Sequence, residues 1–124
     1  MRTIKTLVAI TAVAVTGGFA AQTASAAPLT PTQVTIKGQN GDYEGKVKSS
    51  DANCANDRNV LVYKMLGATP EPNDDKKIGM DTSEFQGGKY VWSAGNTGYK
   101  HGKFYARVKK TEDCGGDLSP VIVR

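Results

Sequence analysis

Residues 88–114 read GKYVWSAGNTGYKHGKFYARVKKTEDC, and the fold follows from how their side chains alternate. Tyr90 and Trp92 share one parity. Further on, Phe104, Ala106 and Val108 share another, set against Lys103, Arg107 and Lys109. A period of two is what a half-buried strand requires, because successive side chains point to opposite faces. The stretch therefore predicts two strands, residues 89–93 and 102–110, joined by the Gly-rich loop 94–101. Cys114 follows the second strand, and the only other cysteine in the chain is Cys54.

Upstream, the same reading repeats. Residues 33–37 alternate, with Val34 and Ile36 on one face. Asn40-Gly41 follows, a dipeptide suited to the positive φ angles of a two-residue hairpin turn. Residues 42–49 place Tyr43 and Val47 on one side and Asp42, Glu44, Lys46 and Lys48 on the other. Residues 50–59 form a polar loop around Cys54. Residues 59–66 are apolar on both parities, Val60 and Val62 against Leu61, Tyr63 and Met65. Residues 67–75, GATPEPNDD, have loop composition, and 76–81 predict a short strand centred on Ile78. Residues 86–88 turn into strand 89–93. After Cys114, residues 118–123 predict a seventh strand, placed at an edge because Pro120 cannot donate to a ladder.

Seven short strands at regular spacing predict an all-β, seven-stranded antiparallel β-sandwich. If the strands alternate in direction, the loops after the second and sixth lie at one end of the sandwich. Cys54 and Cys114 occupy those two loops, so a single inter-loop disulfide between them is geometrically allowed. No helical period of useful length and no internal repeat is present.

The first residues carry the marks of a secretory signal. Arg2 and Lys5 give a positive start, residues 7–15 an apolar run, and Ala24-Ser25-Ala26 a small-residue cleavage site. The expected organisation is a signal peptide over 1–26, a flexible Pro-containing lead-in over 27–32, and a single domain over 33–124. An uncleaved anchor is the competing reading, although the apolar run breaks at Thr16, Gly17 and Gly18. The chain carries 16 Lys and Arg against 12 Asp and Glu. Arg2 and Lys5 belong to the signal, so the remainder carries only about +2, an ordinary mixed surface. That gives no strong pull toward nucleic acid. Two cysteines in an exported chain are expected to pair, because the compartment is oxidising.

The runs NGDYEGKVKS, CANDRNVLVYK, GKYVW and GKFYARV together resemble small secreted actinobacterial proteins. Their sandwich is similar to transthyretin-like and carboxypeptidase-regulatory-like (Ig-like) domains, built as a Greek key. The resemblance spans roughly residues 34–114 and rests on turn glycines, core aromatics and the cysteine pair. It implies the sandwich and export, and it carries no active site across. The chain departs from the antibody pattern, since neither cysteine lies within a strand and Trp92 falls on the fifth.

Chemistry is sparse. The only histidine, His101, lies in the Gly-rich loop, and no nucleophile-elbow sequence accompanies it. Paired cysteines leave too few ligands for zinc. Asp51, Asp57, Glu112, Asp113 and Asp117 gather in the cysteine-bearing loops, but without EF-hand spacing and in residue types that turns use anyway. We therefore expect no catalytic residues, cofactor or metal.

The third strand is more informative. If Val60 and Val62 face the core, then Leu61, Tyr63 and Met65 face outward, with Tyr105 and Arg107 beside them on the sixth strand. Aromatic, Met and Arg side chains on one sheet face are what protein interfaces favour. These five residues form the expected partner-binding face, unless the 67–75 loop covers them or the strand bulges. The sequence thus predicts a secreted, monomeric, non-catalytic module for a protein or cell-surface ligand. The alternatives are a hydrolase inhibitor acting through an exposed loop and a structural component of the cell envelope.

Overall fold

The structure is a computed structural model and describes residues 28–124. The expected signal peptide, residues 1–26, lies outside the described residues.

Two antiparallel sheets close on one core. The chain runs β1 (Thr32–Val34), β2 (Lys37–Gln39), β3 (Asp42–Ser49), α1 (Ala52–Ala55), β4 (Asn59–Lys64), β5 (Lys76–Thr82), β6 (Glu84–Gln86), β7 (Lys89–Ala94), β8 (Lys103–Val108), β9 (Asp117–Leu118) and β10 (Ile122–Val123). One sheet has the order β5-β4-β8, with β9 and β10 both on the free side of β8. The other has the order β6-β7-β3, with β1 and β2 both on the free side of β3. The described residues form ten strands where seven were expected: five match, the first and last are each replaced by two short strands, and β6 is an addition.

Both splits have a local cause. Between β1 and β2, the Thr35 carbonyl leaves the ladder and accepts a hydrogen bond from the Trp92 indole at 3.1 Å. Gly45 makes room for this, because a Cβ there would stand 1.9 Å from that same oxygen. The Thr35 hydroxyl replaces the missing ladder acceptor by taking the Lys46 N–H at 3.0 Å. Between β9 and β10, Pro120 has no N–H to give. There the Ser119 hydroxyl accepts the Ala106 N–H at 2.8 Å. At two edges, then, a hydroxyl patches a ladder that the backbone abandons.

The turns follow their chemistry. Asn40 and Gly41 adopt φ of 57° and 86°, and Gly87 and Gly88 adopt 59° and 83°. These are the paired positive values of two-residue hairpins. The second of them makes β6, which residues 84–86 do not announce because their side chains are polar and exposed around Phe85.

The core alternates as the period-two reading requires. Val34, Tyr43, Val47, Trp92 and Ala94 meet Val60, Val62, Phe104, Ala106 and Val108 across the sandwich. The Tyr43 and Phe104 rings pack at a tilt of 33° with centroids 4.8 Å apart. Of the expected core aromatics, Trp92 and Phe104 are fully buried, while Tyr90 is half-buried against Phe85.

The disulfide joins Cys54 to Cys114 with a Cα–Cα distance of 5.4 Å. Cys54 sits on a one-turn helix rather than in an open loop. Asp51 caps that helix by accepting the Asn53 N–H at 2.9 Å. The expected loose lead-in is tied down from Thr30 onward. The Thr30 N–H bonds the Asp113 carbonyl at 3.0 Å, and the Thr30 carbonyl accepts from Gly115 at 2.8 Å.

Candidate binding face

The outer face of the β5-β4-β8-β9 sheet is built from residues paired across its strands, with one shift of register between β4 and β5 at Val62/Tyr63. One row runs Met80, Leu61, Arg107, Leu118 across the four strands. The next runs Lys77, Tyr63, Tyr105. Beyond it, Met65 bonds the Lys103 carbonyl at 2.8 Å, and Lys103 pairs with Val123. Directly opposed residues share a face, so Leu61, Tyr63, Met65, Tyr105 and Arg107 do point away from the main core.

Pointing away from the core does not make them accessible. Leu61, Tyr63, Met65 and Tyr105 are buried, between 0% and 8% exposed, and form a second small core of their own. Only Arg107 is half-exposed. The Tyr63 and Tyr105 rings lie nearly parallel, with centroids 5.3 Å apart. The expectation of an open aromatic face is therefore corrected: the 66–75 loop roofs it.

The loop is fastened by one carboxylate. Asp75 accepts the Tyr105 hydroxyl at 2.6 Å, the Glu71 N–H at 2.7 Å and the Leu66 N–H at 2.9 Å. Besides Asp75, only Pro70 and Pro72 within 66–75 are half-buried. Burial alone would raise the Asp75 pKa, but the three hydrogen bonds outweigh it and hold the carboxyl below its ordinary value. Burial, followed by the hydrogen bond to Asp75, pushes the Tyr105 phenol well above its own.

What remains accessible is the margin. Met80 is 54% exposed, Leu118 39%, Val123 65%, and Leu66 at the loop's start 66%. Among them stand Lys77, Lys103 and Arg107. Among the described residues the one ion pair within 4.0 Å is Lys37–Glu44, on the other sheet, so these three cations face solvent without a carboxylate partner. Apolar and cationic groups thus surround a rigid, sealed floor.

Arg58 is the residue the sequence did not single out. It is 5% exposed, and its guanidinium donates to the Cys54 carbonyl at 2.7 Å, the Thr32 hydroxyl at 3.1 Å, the Lys109 carbonyl at 2.7 Å and the Gly115 carbonyl at 3.0 Å. Among the described residues no carboxylate lies within 4.0 Å of it, and burial lowers its pKa. Beside it, Ser83 latches the crossing from β5 to β6 by donating to the Ala55 carbonyl at 2.6 Å and accepting the Arg58 N–H at 3.0 Å. Arg58 therefore braces the same end of the sandwich as the disulfide. Its place in the polar run 50–59 is where a solvated arginine is the default, so no local pattern marks it.

His101 is exposed in its loop. Among the described residues, no three His, Cys, Asp or Glu side chains come together in an arrangement that could hold a metal ion. The acids of the disulfide end are used otherwise: Asp51 caps α1, and Asp117 accepts the Val34 N–H at 2.8 Å, tying the two sheets. Comparison with family models, curated proteins and solved structures finds no match to the chain.

Proposed function

We propose that the protein is an exported, non-catalytic β-sandwich module that binds a protein or cell-surface partner through the margin of the β5-β4-β8-β9 face. The observation that carries this reading is the exposure of Met80, Leu118 and Val123 beside unpaired Lys77, Lys103 and Arg107 on one face. A soluble domain normally scatters its exposed apolar groups, whereas interfaces gather apolar, Met and Arg side chains around a packed centre. Export rests on the signal-like pattern of residues 1–26 and agrees with the Cys54–Cys114 crosslink.

The buried tyrosines then serve the face without touching the ligand. They stiffen it, which lowers the ordering cost of binding.

The test is co-sedimentation of purified protein with envelopes of the producing cells, comparing wild type with the double variant Met80→Asp, Leu118→Asp. Retention of wild type and release of the variant, at unchanged melting temperature, supports the reading. Equal retention of both, or of neither, refutes it.

A further inference from the structure

The opposite face of the molecule carries a groove of about 470 Å³ over β3, β7 and β6. Val91 lies at its centre, and Gly45 and Trp92 also line it. The walls hold three lysines and three acids, but these are not matched. Glu44 is taken by Lys37 at 3.5 Å. Asp81 spends one carboxylate oxygen on the Ser93 N–H at 2.8 Å. Glu84 lies across Val91 from Lys46, one strand away.

Lys46 and Lys89 are left over. Lys46 pairs with Val91, so Lys89, two residues before Val91 on the same face, is its diagonal neighbour. Diagonal neighbours on a sheet lie within reach of long side chains. The two lysines lie side by side, and among the described residues neither has a carboxylate within 4.0 Å. Repulsion from Lys89 is the largest influence lowering the Lys46 pKa, and Lys48 and Lys37 add to it. The lining as a whole is balanced, three lysines against three acids, but the two ammonium groups of Lys46 and Lys89 stand together at its β3–β7 side and make a local positive patch.

We propose that this groove is a binding site for an oxyanion (phosphate, sulfate or carboxylate) held between Lys46 and Lys89. The exposed Ser93 hydroxyl and Gln86 amide lie along the same groove and supply neutral hydrogen bonds to the rest of the ligand. Glu84 gives the β6 wall the opposite sign, so the anionic group is held at the β3–β7 side of the groove, between the two lysines. The site is independent of the margin on the other sheet.

The experiment is an NMR titration of isotope-labelled protein with inorganic phosphate, with sodium sulfate and with dextran sulfate, at low ionic strength. Saturable shifts are expected at the amides of residues 45, 46 and 89–91. Lys46→Ala and Lys89→Ala should each weaken binding roughly fivefold, the upper range for an exposed charge pair. Glu84→Gln should tighten it, and Lys100→Ala, on a distant loop, should change nothing. Saturation by the free ions assigns a small oxyanion. Saturation by the polymer alone, lost in the same two variants, assigns a polymer-borne one. Shifts that fail to saturate with any probe, or that persist in the Lys46→Ala, Lys89→Ala double variant, overturn the proposal. So does an equal loss in Lys100→Ala, which would reduce the effect to net charge.

Discussion

Arg58→Met removes the brace at the disulfide end while keeping most of the side chain's apolar volume. Four acceptors lose their donor, two of those bonds fully buried (to the Cys54 carbonyl and the Thr32 hydroxyl) and two half-buried (to the Lys109 and Gly115 carbonyls). A buried acceptor left without a partner costs about 1–3 kcal/mol, whereas a half-buried one recovers water. Against that, the variant no longer desolvates a guanidinium, which returns part of the loss. The balance is a destabilisation of about 3 kcal/mol. Urea unfolding of the oxidised protein measures it. With a slope of roughly 1–1.5 kcal/mol per molar for a domain this small, the midpoint should fall by roughly 2–3 M at unchanged slope. Amide exchange at Gly115, whose N–H bonds the Thr30 carbonyl at 2.8 Å, should accelerate more than exchange in β3 or β7. Arg58→Lys keeps the charge, but one ammonium cannot serve acceptors on both sides, so it should recover only part of the loss. A midpoint within 0.5 M of wild type for Arg58→Met would refute the reasoning (roughly 0.5 kcal/mol on that slope). It would mean that desolvation cancels the four bonds and that Arg58 holds nothing together.

Four further outcomes follow from the same geometry. Tyr105→Phe should cost about 1.5 kcal/mol in urea unfolding, the lower range for a hydrogen bond to a charged acceptor, and should raise tyrosine accessibility at Tyr63. The folded Asp75 carboxyl titrates below its ordinary value, so its contribution is complete above the unfolded pKa of about 3.9 and is lost as pH falls through the folded value. Acid titration of the 66–75 loop amides should show release there only at low pH, and release near neutrality would contradict the clamp. Replacing both Cys54 and Cys114 by Ser opens a crosslink that spans 60 residues and should lower stability by about 4 kcal/mol, read by the same unfolding curve. Gly45→Ala sets a Cβ 1.9 Å from the Thr35 carbonyl and 2.8 Å from the Trp92 indole nitrogen, so it should destabilise by about 2–3 kcal/mol and shift tryptophan emission to the red.

The parts of the fold that were legible are those fixed by side-chain parity and turn chemistry. Alternation in residues 102–110 separates Phe104, Ala106 and Val108 from their neighbours, and all three are in the core. Asn40-Gly41 specifies its own turn through two positive φ values. The disulfide could be anticipated because alternating strand direction puts both cysteines at one end. What was not legible depends on contacts between segments distant in sequence. The breaks at Thr35 and Pro120 are repaired by hydroxyls of Thr35 and Ser119, and nothing in a local window shows a ladder being handed from backbone to side chain. Arg58 takes its acceptors from positions 26, 4, 51 and 57 residues away.

The face of β4 shows where parity reasoning stops. Period two decides which side of a sheet a residue occupies, and it placed Leu61, Tyr63, Met65 and Tyr105 correctly on the outer side. Exposure is a separate quantity, set by what else crosses that side. A strand apolar on both parities is itself a sign of burial on both faces, because leaving such side chains in water forfeits about 25 cal/mol for each Å². The loop that follows, GATPEPNDD, is composed for the covering role: two prolines limit its conformations, and its final aspartate anchors it to a tyrosine 30 residues on. An apolar outer parity followed at once by a Pro-rich loop ending in an acid therefore argues for a roofed second core. The exposed apolar groups then lie one strand outward, at Met80 and Leu118, where the roof ends.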